Sequence, residues 1–235
     1  MVVPASELAR IVQANAPVLC LDTCSVLDVL RDPYRETSQP HDAVAAMELL
    51  QAIESGSRLV GLLADQVHQE LTTHLPEIEE EARRGLQKLR SHVSRVDGLV
   101  SAFGAPVRTN LSRWDQHVAN ATSAVQRWIG ASTAAPQSAL IPNLAYARVM
   151  QVRAPARKGK DSLQDCVVLE TYFETVAELR QNGLTTTVVF LSSNTNDYGT
   201  PTSRSQLQPS LAAEFAAFGM QYASGHGMAK ALLGL

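Results

Sequence analysis

An α/β fold with a parallel sheet is predicted by three observations. Apolar runs of strand length recur at 18–21, 59–64 and 188–191, helical patterns separate them, and a chain of 235 residues with 45% hydrophobic content holds one large domain. Such a length also suits a small α/β domain that carries a substantial helical insertion.

The first run, Val18-Leu19-Cys20-Leu21, ends on Asp22. Packing alone does not explain a lone carboxylate there, because burying an unpaired charge is costly. The C-terminal tip of an early strand is instead where open α/β sheets hold their chemistry. Next, Val44, Met47, Leu49, Leu50 and Ile53 form a helical stripe that Ser55-Gly56-Ser57 stops. After the second run, Asp65-Gln66-Val67-His68-Gln69-Glu70-Leu71 predicts a helix start with Asp65 as N-cap, which puts Glu70 about one turn inside.

From 76 to about 150 the pattern is helical without a convincing strand signal, so a helical insertion is expected within a single domain spanning 1–235. Its acidic start, Glu77 to Glu81, and the following Arg83, Arg84, Lys88 and Arg90 suit the helix dipole and a solvated face. Gly104-Ala105-Pro106 and the stretch 130–136 are the expected breaks. A further helix over 161–181 carries the stripe Leu169, Tyr172, Phe173, Val176 and Leu179, and Gly183 ends it. The tail follows with a polar loop at 200–209, a short amphipathic helix at 211–218, then an edge strand and a covering helix.

A formal charge of −3 and a pI near 6.1 argue against a chain that coats nucleic acid through bulk charge, while leaving room for a local basic patch. Cys20, Cys24 and Cys166 are odd in number and lack metal-finger spacing, as expected of reduced thiols in a cytosolic protein. The opening residues lack a basic region followed by an apolar core. No uninterrupted apolar stretch approaches the roughly 18 residues of a membrane span, so a soluble intracellular protein without a membrane partner is expected.

Four acidic positions occupy comparable places: Asp22 after the first strand, Glu70 early in a helix after the second, Asp165 at the start of the late helix, and Asp197 after the third strand. Carboxylates gathered at one sheet edge repel one another unless a cation neutralises them, and hard oxygen donors select Mg²⁺ or Mn²⁺. Metals so held activate water and stabilise the leaving oxygen of an in-line displacement, which points to phosphodiester hydrolysis. Asp161 and Asp165 share one helix face, so either can serve as the ligand. The apolar run after Asp165 favours it, and leaves Asp161 as an N-cap or a second ligand. The segment Arg153-Ala154-Pro155-Ala156-Arg157-Lys158-Gly159-Lys160 sets four cations directly before Asp161. It reads either as a solvated loop or as a phosphate clamp in which Arg157, Lys158 and Lys160 hold a nucleic-acid backbone. His68 and His74 fall on different helix faces and read as surface residues, and Asp28 and Asp32 as solvated acids.

Four motifs in order, Leu21-Asp22-Thr23-Cys24-Ser25-Val26-Leu27, Gln66-Val67-His68-Gln69-Glu70-Leu71, Asp165-Cys166-Val167-Val168-Leu169-Glu170 and Phe190-Leu191-Ser192-Ser193-Asn194-Thr195-Asn196-Asp197-Tyr198, resemble those of the PIN domain. The long helical middle is similar to the larger bacterial PIN-like proteins rather than the compact toxin type. The resemblance implies a PIN-like parallel sheet flanked by helices and a Mg²⁺- or Mn²⁺-dependent endoribonuclease. It further implies that Asp22, Glu70 and Asp165 bind metal, that Asp197 completes the site, and that Thr23, Ser192 and Asn194 support it. Cys24 stands where an Asn is common, and Cys is a poor Mg²⁺ partner, so no ligand role follows for it. RNA is the implied substrate. PIN-like proteins often form homodimers, and toxin types pair with an antitoxin-like protein. Two other functions compete: an RNA-binding or regulatory module of the same fold that has lost turnover, and a phosphatase with an aspartate nucleophile. The second of these wants another Asp two residues after the first, where this chain has Cys24.

Overall fold

Residues 4–31, 33–35, 38–104 and 106–235 are described by a computed structural model of the chain. Asp32, the opening three residues and Ala105 of the expected break lie outside the described residues. The elements run α1 (Ala5–Ala14), β1 (Val18–Leu21), α2 (Thr23–Leu27), α3 (Pro40–Glu54), β2 (Val60–Ala64), α4 (Asp65–Ala102), α5 (His117–Ala131) and β3 (Thr133–Ala135). Then follow α6 (Ile141–Met150), α7 (Leu163–Gln181), β4 (Val188–Leu191), α8 (Thr195–Tyr198), α9 (Pro209–Ala217), β5 (Met220–Ala223) and α10 (His226–Leu233).

All five strands are parallel, in the order β3-β2-β1-β4-β5. β1, β2 and β4 are buried along their whole length, which is why they read as continuous apolar runs rather than alternating ones. The chain moves outward from β1 to β2 and β3, then returns to the other side of β1 for β4 and β5. That reversal opens a crevice at the C-terminal ends of β1 and β4, beyond the paired Leu21 and Leu191.

The helix α7 is sewn to this edge by Tyr172, whose buried hydroxyl donates to the Leu21 carbonyl and accepts the Ala64 amide at 3.0 Å. Phe190 on β4 packs among Tyr172, Tyr198 and Phe215, with ring centroids 5.2 to 5.9 Å apart. On the β2 side, the fully buried Trp128 anchors α5.

The structure departs from the sequence reading in three places. The stretch 130–136, expected as a break in a strandless segment, contains β3, which pairs with β2 from Leu62↔Thr133 to Ala64↔Ala135. Its residues have weak strand preference, so the partner edge and not the local pattern decides the conformation. Second, α4 passes through Pro76 without a break, so the expected start of the insertion lies inside one helix. Thr72 and Pro76 are both exposed, so the hydrogen bond that proline removes is lost on the solvent side. Third, the cap residue of α4 is Ala64, and Asp65 is its first helical residue. The Asp65 carboxylate instead accepts the Gln137 amide at 3.1 Å, tying the exit of β3 to the start of α4. No helix among the described residues is long and apolar enough to cross a membrane.

Candidate active site

Asp22 continues the sheet by one residue, since its amide donates to the Leu191 carbonyl at 3.1 Å. Its carboxylate then caps α2: Oδ1 accepts the Thr23 amide at 2.9 Å, while Oδ2 accepts the Ser192 hydroxyl at 2.5 Å and the Cys24 thiol at 3.1 Å. Ser192 is itself fixed by donating its amide to Ala223 of β5 at 3.0 Å. Only 5% of Asp22 is exposed. Burial pushes its pKa above the ordinary carboxylate value and the Glu70 charge adds to this, against the pull of the Ser192 and Cys24 hydrogen bonds.

Glu70 reaches the same place from the second turn of α4. Its carboxylate accepts the Thr23 hydroxyl at 2.5 Å and the Gln66 side-chain amide at 2.9 Å, so Thr23 joins the two acids. Asp165 enters from the first turn of α7, with 26% of its side chain exposed. Its pKa is pushed up to about 7 by burial, then by the charges of Asp22, Asp197 and Glu70, with Lys160 opposing. Those causes place all four carboxylates in one electrostatic field.

Asp197, on α8, is 1% exposed. Its Oδ2 accepts the Asn194 amide group at 2.7 Å and pairs closely with the Lys160 ammonium, which also lies 3.7 Å from Asp165. Arg157 stands 3.5 Å from the other oxygen, Oδ1, which is buried and accepts no hydrogen bond. Two of the three cations read as a phosphate clamp thus rest on the acidic centre, and the third, Lys158, is exposed. Asp161 makes none of these contacts; it is exposed, and its carboxylate accepts the Leu163 amide at 3.3 Å at the start of α7. His68 and His74 are exposed on α4.

Three contributors escaped the sequence reading. Cys24, read only as no metal ligand, donates its thiol to Asp22, and burial followed by the Asp22 charge holds its pKa above the ordinary thiol value. Gln66 sits four residues before Glu70, a spacing that signals contact along a helix. Ser25 accepts the Ser193 amide at 2.8 Å and so fastens the loop after β4 to α2.

Among the described residues no group of three or more His, Cys, Asp or Glu side chains forms a ready metal site. The donor chemistry nevertheless fits a hard divalent cation. All four acids offer carboxylate oxygen, Asp197 presents a buried oxygen with no hydrogen bond, and Asp165 is raised by its acidic neighbours.

The raised pKa of Asp165 makes a stability prediction for the metal-free protein. A carboxyl held at about 7 in the fold and near its ordinary 3.8 when unfolded binds more protons folded than unfolded across that interval. Its contribution is complete below the lower value and is lost as pH rises through the upper one. Chemical denaturation between pH 4 and 8 is expected to show this loss, roughly 1 kcal/mol or more, and Asp165→Asn should flatten it. An unchanged pH profile in the variant overturns the assignment.

A family model described as PIN domain matches residues 19–198, a span that contains all four carboxylates. No curated protein and no solved structure matches the chain.

Proposed function

The chain belongs to the PIN domain family, whose members are generally nucleases, and from that premise we propose that it is a Mg²⁺- or Mn²⁺-dependent ribonuclease that cuts RNA internally. The observation that carries this reading is the meeting of Asp22, Glu70, Asp165 and Asp197 at the C-terminal edge of β1 and β4.

Each side chain has a task that follows from its surroundings. Asp22 holds one orientation because three donors fix it, so it is preorganised as the principal ligand. Thr23 and Gln66 orient Glu70 in the same way, and Asn194 orients Asp197. Asp165, whose ordinary charge is opposed by its neighbours, is the carboxylate most readily recruited by a cation or by a proton. Bound Mg²⁺ or Mn²⁺ would polarise a phosphate oxygen and acidify an attacking water. Arg157 and Lys160 lie at the rim with about half of each side chain exposed, where they can turn to the backbone phosphates of an arriving strand.

The competing reading, a module that binds RNA without turnover, is favoured by one contact: Lys160 already supplies a positive charge to Asp165 and Asp197. Incubation with single-stranded RNA, structured RNA and DNA in Mn²⁺ separates the two. Cleavage of RNA that stops on chelation is expected. Persistence in chelator overturns the metal role, equal cleavage of DNA overturns the RNA preference, and strand binding without cleavage supports the module.

A further inference from the structure

A cavity of about 540 Å³ opens beside the acidic centre, between α2, the start of α3, the loop after β4 and the turn before α10. Ser25 and Ser193 line it, and Ser193 is the chain neighbour of the Ser192 that donates to Asp22, so cavity and centre share a wall. Its volume falls within the range of small-molecule sites.

The lining holds polar groups that lack a partner. Arg204 has no hydrogen bond or ion pair among the described residues. Arg35 Nε and His226 Nε2 are buried and make no hydrogen bond, although His226 is only 6% exposed. Leaving these two buried nitrogens unpaired is unfavourable unless a ligand meets them, while the exposed Arg204 is free to turn to one. Arg31 and Arg35 are both held by Asp28, at 3.4 and 3.0 Å, which keeps two guanidinium groups at the cavity edge. Asp42, the other acid of the lining, accepts the Gly227 amide at 2.8 Å. Three arginines against two aspartates give the cavity a positive balance next to a negative centre.

We propose that this cavity is a subsite for a nucleotide of the substrate strand, one that flanks the phosphate placed at the acidic centre. The assignment deepens the nuclease reading and rests on it for the identity of the strand. Phosphate meets the arginines, which suit it by planar, paired hydrogen bonding, and the nucleoside enters beside His226. The division of charge is what a strand needs at such a place: a positive pocket grips a neighbouring phosphate while the acids stay free for a cation. Positioning of this kind raises the effective concentration of the scissile bond without any base being read.

The test is the salt dependence of binding by fluorescence anisotropy, with a labelled oligouridylate in chelator so that cleavage does not interfere. Each phosphate contact on a single strand contributes about 0.7 to the slope of log affinity against log salt. Arg204→Ala is therefore expected to lower the slope by about that amount and to weaken binding about fivefold at 0.1 M salt. The Arg31→Ala/Arg35→Ala double variant should lower it further, and uridine monophosphate should compete better than inorganic phosphate. Arg83→Ala, on the exposed face of α4, should leave the slope unchanged. Unchanged slopes in both cavity variants with the fold intact by circular dichroism, or no binding by the wild-type protein, overturn the subsite. Reduced slopes without any cleavage under Mn²⁺ keep the subsite and overturn the nuclease reading instead.

Discussion

Asp22→Asn is expected to reduce metal-dependent RNA cleavage by more than about 100-fold, beyond the 10–100-fold that outer partners of a metal site typically carry. The amide keeps the shape of the carboxylate and can still accept from the Thr23 amide, the Ser192 hydroxyl or the Cys24 thiol, so the fold should survive. It loses the charge and one of the oxygen donors. It also relieves a buried anion that Glu70 repels, so the thermal midpoint of the metal-free variant should not fall. Parallel turnover and melting measurements check both halves. Activity within a few-fold of wild type removes Asp22 from the site, and a collapsed midpoint shows that its role is structural.

The second large effect concerns stability. Arg148 on α6 is 2% exposed and binds Glu170 of α7 at 2.6 Å, Glu214 of α9 at 2.8 Å and the Ala154 carbonyl at 2.7 Å. Its guanidinium also lies 5.7 Å from the centre of the Phe173 ring. Arg148→Ala strands the largely buried Glu170, leaves Glu214 with Arg153 alone, and opens a space between three helices. Breaking a buried pair from one side costs about 3–5 kcal/mol, and for a chain of this size that lowers the melting midpoint by roughly 6–20 °C. Glu170→Ala should cost less, because Glu214 still neutralises the arginine. A loss under about 1 kcal/mol for Arg148→Ala would place this network with ordinary surface pairs. The same variant should also disturb the rim of the acidic centre, since Arg148 holds the segment that leads into Arg157 and Lys160.

The parallel α/β architecture was legible because β1, β2 and β4 are buried on both faces, and such strands announce themselves as unbroken apolar runs. β3 was not, because Thr133-Ala134-Ala135 has no apolar signature of its own and becomes a strand by joining the free edge of β2. The start of the insertion at about 76 was not legible either, because α4 runs on from Asp65 and the hydrogen bond that Pro76 removes lies on its exposed side. Asp22, Glu70, Asp165 and Asp197 could be singled out from strand ends and helix starts, since backbone topology alone carries those positions to one edge. Their partners could not. That Lys160 leans on Asp197, or that the Cys24 thiol donates to Asp22, depends on rotamers and loop paths with no periodic trace in the chain.

The acidic centre is built from two kinds of backbone, and this has a kinetic consequence. Asp22 and Ser192 extend hydrogen-bonded strands in the middle of the sheet, so their amides should exchange with solvent only when the whole domain unfolds. Arg157 and Lys160 stand on an exposed loop around Gly159, whose φ of +80° marks a bend outside regular structure, and their amides should exchange through small local openings. One wall is thus as long-lived as the fold, while the facing wall relaxes far sooner. The Arg157–Lys160 wall is therefore expected to open and close many times within the lifetime of a single arrangement of Asp22.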